Sequence, residues 1–303
     1  MNSNRTNLLD SGMGFQPIQS SYDAANRLVS AVSAVETNLY SYDGAGRLVA
    51  QTVNGEPRTY SYDFRSQMTA LTDTNAASFS YDFDGDGNRI SMIPVGTAGP
   101  AVRFVYDGPN VVLDLDATTL EPISAYVHGV GIDQPVEKIY LGLAIPELDR
   151  RAVYHTEALG SVIAMTDSTG ALIKEYRYEA FGKLRYESGA GPLGGNRYTY
   201  TARESIGDSL GLCYYRVRVM DPNVGRFTSE DPLGFIDGAN YYLYVRNQPP
   251  NRRDPSGLCS WQDCDEERGC NYCTGNPGTC RWSIIQYGAL AGNWQCNCEL
   301  NPL

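Results

Sequence analysis

Three residue classes in this 303-residue chain have types and spacings that could do chemistry: a cluster of cysteines, a loop of alternating carboxylates, and aspartates set before prolines. Of the eight cysteines only Cys213 precedes the last 45 residues, which hold Cys259, Cys264, Cys270, Cys273, Cys280, Cys296 and Cys298. A segment that short rarely sustains a core unaided, so so many thiols imply a covalent or metal staple. Cys270-x-x-Cys273 with Cys280, Cys296 and Cys298 suits an all-cysteine zinc site, but the last pair is spaced C-x-C and the paired CxxC signature is missing. Disulfides are the alternative, with six thiols pairing and a seventh free or intermolecular. Asp82-Phe-Asp84-Gly-Asp86-Gly87-Asn88 alternates carboxylates as a calcium loop does, yet its twelfth position is Ile93 where a bidentate Glu belongs, so it reads as a decorated turn. His128 and His155 have no serine or cysteine nucleophile motif beside them, and no His-based hydrolase is expected. The Asp-Pro pairs at Asp221, Asp231 and Asp254 lie among strand-forming aromatics; read by themselves they mark tight reversals, because proline fixes φ and pushes the residue before it toward extended backbone.

The whole string around those pairs says more. DPNVGRFTSEDPLGF, NYYLYVRNQPPN and DPSGL, within Tyr214 to Leu258, resemble the Rhs-repeat-associated core of Rhs and YD-repeat proteins and of toxin-complex C subunits. Upstream, Tyr154-His155-Thr-Glu-Ala-Leu-Gly160-Ser161, Thr166-Asp167-Ser-Thr-Gly170 and Tyr176-Arg-Tyr178-Glu-Ala-Phe-Gly182 are similar to the lead-in of that core, with Glu157 and Glu179 in place of Asp. The resemblance implies an intramolecular aspartyl protease that cuts its own chain after the DPxGL motif. It assigns Asp231 and Asp254 as the paired catalytic aspartates, Arg218 as the supporting arginine and Leu258–Cys259 as the scissile bond. Arg216, two residues away, would share a strand face with Arg218, which makes the arginine assignment weaker than that of the two aspartates. Neighbouring carboxylates cannot both ionise cheaply, so such a pair shares a proton, one member acting as base toward water and the other as acid toward the peptide. The products of the family act outside the producing cell, which favours disulfides over zinc in the tail. No resident metal or cofactor is expected.

The elements that must position those residues are hairpins. Tyr22-Asp-Ala-Ala-Asn-Arg-Leu-Val29 recurs from Tyr42, from Tyr62 and from Tyr81, at intervals of 20, 20 and 19, and Tyr106-Asp107 follows 25 later. Each unit reads strand, Asp/Gly turn, strand, and resembles the YD repeat. One hairpin cannot bury an apolar face, so successive hairpins must stack, with tyrosines as inner-face packing. Arg27, Arg47 and Arg89 are expected to pair with carboxylates of neighbouring repeats. The expected fold is all-β: stacked antiparallel hairpins of YD repeats forming part of a curled Rhs shell, with a small cysteine-rich tail. The expected organisation is a poorly ordered leader over 1–20, YD repeats over 21–110, connecting hairpins over 111–153, the core over 154–258 and the variable tail over 259–303.

A net charge of −11 argues against a surface that grips nucleic-acid phosphates. The tail carries only Arg268 and Arg281 as basic residues and no histidine, which argues against a nuclease there. No stretch is apolar for the roughly 18 residues a spanning helix needs, and the N-terminal residues lack a signal-peptide h-region. The expected function is a shell protein of polymorphic-toxin type that cuts itself at Leu258–Cys259 and frees its tail, acting in secreted form or at a cell surface. Further shell segments from another chain are the expected partners, because four or five repeats are too few to close a shell. The alternative is a non-catalytic adhesion module binding carbohydrate, protein or a target-cell surface.

Overall fold

Tyrosine and aliphatic residues alternating with serine and threonine suit a pleated sheet buried on one face. The computed structural model describes residues 4–5, 7–8, 18–34, 36–53, 55–74, 77–96, 101–141, 150–189, 195–206, 211–234, 238–258, 264–265, 269–270, 280–284 and 294–298. It sets that alternation in a 17-stranded sheet from Asn7–Leu8 to Leu184–Ser188. Each registered pairing joins strands consecutive in the chain, all antiparallel, so the sheet is one long meander. Register shifts recur just before Tyr22, Tyr42, Tyr62 and Tyr178. Bulges of this kind bend a strand and increase its twist, which favours curling over a flat ribbon.

The aspartate of the YD motif makes the turn. Asp23 Oδ1 accepts the backbone N–H groups of Ala25 and Arg27, Asp43 those of Ala45 and Arg47, and Asp63 those of Arg65 and Gln67, all at 2.9 to 3.0 Å. A short side chain that folds onto its own backbone offers a turn the hydrogen bonds that a ladder cannot. Glu157 does the same for Leu159 and Ser161, so the exchange of Asp for Glu there keeps the hairpin.

Two expectations about the repeats need correction. In the fourth unit the turn carboxylate is Asp84, which accepts from Asp86 and Asn88, whereas Asp82 bonds Ser91 Oγ; the motif residue is Phe83, two positions after Tyr81. The sequence offers two carboxylates, and only the one whose oxygen reaches the amides two and four residues on closes the turn. Arg27 and Arg47 pair with the aspartate of their own repeat, Asp23 and Asp43, at 2.6 and 2.7 Å, because both partners flank one turn. Toward the next repeat they present their guanidinium planes to Tyr42 and Tyr62, 5.7 and 5.2 Å from the ring centroids. Arg89 leaves the repeat altogether and pairs with Glu204 at 2.7 Å.

A second, four-stranded sheet follows: Glu204–Ile206, Leu212–Tyr215, Arg218–Asp221 and Arg226–Phe227. Side-chain alternation gives it two buried faces. Ile206, Leu212, Tyr214 and Val219 join the core of the early repeats, with Leu28, Leu48, Tyr60, Met68 and Leu71. Cys213, Tyr215, Met220 and Phe227 pack instead with Tyr200, Tyr244 and Val245. A further core under the later strands gathers Phe104, Tyr126, Tyr154 and Met165 around Tyr198. Of residues 1–20, read as a poorly ordered leader, Asn4 and Arg5 are tied down: Arg5 lies 3.7 Å over the Phe181 ring and donates to Val224 O, and Asn4 Oδ1 accepts from Asn240 Nδ2 at 2.6 Å. In the tail, Cys264–Asp265 pairs with Gly269–Cys270, and Cys280–Ile284 with Trp294–Cys298. Cys259 and Cys273 lie outside the described residues, as do the side chains that would decide between disulfide and zinc.

Candidate active site

Arg218 opens the third strand of the small sheet, directly after the reversal at Arg216 and Val217. Its guanidinium stacks 3.6 Å from the centroid of Phe227 on the neighbouring strand, and its Nη1 donates to Tyr241 O at 3.1 Å while Nε donates to Gly257 O. Held on three sides, it aims Nη2 at two carboxylates. Asp231 Oδ2 lies 3.0 Å away and Asp254 Oδ2 3.5 Å away, and all three side chains are at most 4% exposed. The two Oδ2 atoms therefore cannot be farther apart than the sum of those distances, although 23 residues separate them in the chain.

Each aspartate is oriented by its own turn. Asp231 Oδ1 accepts the Leu233 amide at 2.8 Å, and the Asp231 amide donates to Tyr241 O at 3.1 Å. Asp254 Oδ1 accepts the amides of Gly257 and Leu258, at 2.8 and 3.1 Å, and Ser256 Oγ lies 3.3 Å from it. Gly257 is required for this wrap: its φ is +77°, and a Cβ would come within 2.3 Å of Tyr215 O. The wrap seats Leu258 at 3% exposure beside Asp254, the residue whose oxygen holds its amide. Burial pushes the Asp231 carboxyl above the usual carboxylate range, against the opposing pull of Arg218 and the Leu233 amide.

The sequence-assigned trio of Arg218, Asp231 and Asp254 is thus brought together, and Leu258 stands next to it. Arg216 is not part of it: with φ at +60° it belongs to the turn, not to a strand, and its side chain goes to Asp133 at 2.8 Å. Nor is Asp221, the third Asp-Pro residue. Its Oδ1 accepts from the Asn223 amide and side chain, and it lines a polar cavity of about 460 Å³ with Glu36, Gln51, Arg58 and Lys183. Arg218 and Asp221 are three positions apart on one strand and so face opposite sides. Sequence reasoning missed Phe227, the carbonyls of Tyr241 and Gly257, and Tyr215 O. The last three are backbone atoms, which leave no signature in residue type.

The competing chemistries find less support. His155 Nε2 bonds Thr166 Oγ1 at 2.9 Å, and His128 Nε2 meets Val111 O at 2.8 Å, so each serves its own hairpin. Burial pushes the Cys213 thiol up to about 12, far from a reactive thiolate. Among the described residues no group of three or more His, Cys, Asp or Glu side chains is arranged to hold a metal ion.

A long meander of YD hairpins, capped by a small sheet that carries a buried Asp–Arg–Asp cluster, defines the class: an Rhs-type shell architecture. Comparison with known proteins agrees. Residues 2–98 match the Teneurin YD-shell family. The tRNA3(Ser)-specific nuclease WapA of Bacillus spizizenii is 30% identical over 188 residues, 60% of this chain and 8% of that protein. The toxin subunit YenC1 of Yersinia entomophaga is 27% identical over 191 residues, 60% of this chain and 19% of that one. The crystal structure of TcdB2-TccC3-Cdc42 superposes with a TM-score of 0.55 and 21% identity, covering 80% of this chain and 15% of that one. The chain is similar to Rhs/YD-repeat proteins, toxin subunits among them, and it spans less than a fifth of the length of these relatives.

Proposed function

We propose that this chain is the closing portion of an Rhs/YD shell and that it cuts itself once, between Leu258 and Cys259, to free the tail 259–303. The observation that carries the reading is Arg218 Nη2 lying 3.0 Å from Asp231 Oδ2 and 3.5 Å from Asp254 Oδ2, next to the buried Leu258. Asp231, its carboxyl pushed up by burial, holds the shared proton. Asp254 takes a proton from water, the water oxygen adds to the Leu258 carbonyl carbon, and Asp231 protonates the Cys259 nitrogen as the peptide bond breaks. Water is the co-reactant and is consumed. Arg218 keeps both carboxylates within reach and offsets the charge that builds on them. Because the bond lies four residues from Asp254 in the same chain, attack is intramolecular and proximity supplies much of the rate.

The core 154–258 is then the cutting unit, and the repeats 21–110 with the hairpins 111–153 its wall. Names such as toxin subunit among the relatives support further shell chains as partners and action outside the producing cell. No helix among the described residues is long and apolar enough to cross a membrane. One observation favours the adhesion reading: Asp231 and Asp254 each spend Oδ1 on a local turn, a sufficient structural use for an Asp-Pro residue. Intact mass of the purified chain beside Asp231→Asn and Asp254→Asn separates the two. We expect a break after Leu258 in the wild type and a slowing of about 10²- to 10⁴-fold in either variant, the usual worth of a positioned acid or base. A wild-type chain that stays whole returns the aspartates to turn duty.

A further inference from the structure

A second buried charge cluster grips the same segment, at Pro255 O where Arg218 grips Gly257 O. Arg203 Nη1 donates to Pro255 O at 2.9 Å, and Arg216 Nη1 donates to the same oxygen. Two guanidinium groups on one carbonyl repel each other, and Asp133 stands between them: its Oδ1 pairs with Arg203 and lies 2.8 Å from Arg216 Nη2, while its Oδ2 is 3.4 Å from Arg216 Nη1. Arg216 Nη2 also reaches Pro109 O at 3.2 Å. Asp133 is 4% and Arg203 3% exposed, and Pro255 is buried.

The three side chains come from different places. Arg203 directly precedes the small sheet, and Arg216 is in the turn between its second and third strands. Asp133 belongs to the long sheet, in the reversal between Pro122–His128 and Pro135–Tyr140, where its φ is +60°. Burial and the neighbouring Arg216 charge push Arg203 down to about 9, so two cations can stay together here only with a counter-charge. The gripped carbonyl belongs to the residue directly after Asp254, and Asp254 in turn holds the amides of Gly257 and Leu258.

We infer that Asp133, Arg203 and Arg216 form a positioning clamp that fixes the Pro255 carbonyl and so sets which peptide bond faces the Asp231–Asp254 pair. Because Asp133 is supplied by a sheet hairpin 121 residues before Asp254, the clamp closes only once the wall has folded against the core. Self-cleavage is thereby tied to completion of the wall. The inference rests on the self-cleavage reading above and adds three residues to it that never touch the reacting atoms.

Asp133→Asn is the test, since asparagine tolerates the left-handed turn and removes only the charge. The full chain is made by cell-free synthesis, and its cleavage is followed by intact mass. The expected result is a rate lower by about 10²-fold, the order of loss from a displacement of about 1 Å, with the remaining cuts spread over bonds next to Leu258–Cys259. General destabilisation would lower the amount of folded chain without spreading the cut. Asp167→Asn, which removes an exposed turn carboxylate remote from the clamp, should cut at the wild-type rate and at one bond. In the slowly cut Asp231→Asn background, hydrogen exchange at the Gly257 and Leu258 amides of the still intact chain should quicken when Asp133→Asn is added. An Asp133→Asn chain cut at one bond at the wild-type rate overturns the clamp and leaves self-cleavage standing. A wild-type chain that never breaks overturns both.

Discussion

At the scale of single residues, the site depends on atoms that carry no charge as much as on those that do. Gly257 is the sharpest case, because its backbone conformation and its approach to Tyr215 O both exclude a side chain. Gly257→Ala should cost about 1–3 kcal/mol of stability in a denaturant titration, the range for a residue forced into a disfavoured backbone region. It should also slow cleavage by more than that loss implies, since the turn that seats Leu258 is the part disturbed. A second expectation concerns acidity. A carboxyl raised by burial keeps its proton above the usual carboxylate range, so Asp231 is a competent acid below its folded-state value and loses that role as pH rises through it. The cleavage rate should therefore fall on the alkaline side. A rate that climbs steadily from acid to neutral pH would mean that Asp231 is not the acid.

At the scale of elements, the join between the long sheet and the small one is electrostatic as well as apolar. Glu204, on the first strand of the small sheet, takes Arg89 at 2.7 Å from the fourth repeat and Arg197 at 2.9 Å. Burial alone would raise the Glu204 carboxyl, but the two arginines outweigh it and carry it from 4.5 to about 2. A carboxyl depressed on folding stabilises the protein above its unfolded-state value and loses that contribution as pH falls toward the folded one. The folded chain should thus weaken over the window from about 4.5 down to about 2, and Glu204→Gln should flatten that part of the stability–pH curve. At neutral pH the substitution leaves Arg89 buried without its partner and should cost about 3–5 kcal/mol by denaturant titration.

At the scale of the whole molecule, neither sheet is self-sufficient. Leu28, Leu48, Met68 and Leu71 are 0–4% exposed, and Ile206, Leu212, Tyr214 and Val219 of the small sheet are part of their cover. A chain ending at residue 188 would bare that apolar face, and soluble monomers rarely expose large contiguous apolar patches. Such a truncation should self-associate in size-exclusion chromatography, whereas a chain ending at Leu258, the expected cleavage product, should run as the full one does. Monodisperse 1–188 would mean that the long sheet folds without the small one as its cover.

What the sequence determined by itself is local. The tyrosine–aspartate period announces hairpins because an aspartate reaching the amides two and four residues on is a short-range event, and each Asp-Pro pair announces a reversal for the same reason. The pairing of Asp231 and Asp254 with Arg218 was legible only through the resemblance of the surrounding string, since turn chemistry alone gives Asp221 an equal claim. Tertiary structure decided among the three: strand alternation sends Asp221 to the side opposite Arg218, and the stack on Phe227 fixes where the guanidinium points. It also decided that Asp84, not Asp82, closes the fourth turn, and that Arg216 leaves the strand pattern to meet Asp133. Those outcomes rest on contacts between residues far apart in the chain and on backbone carbonyls, and a string of side-chain identities records neither.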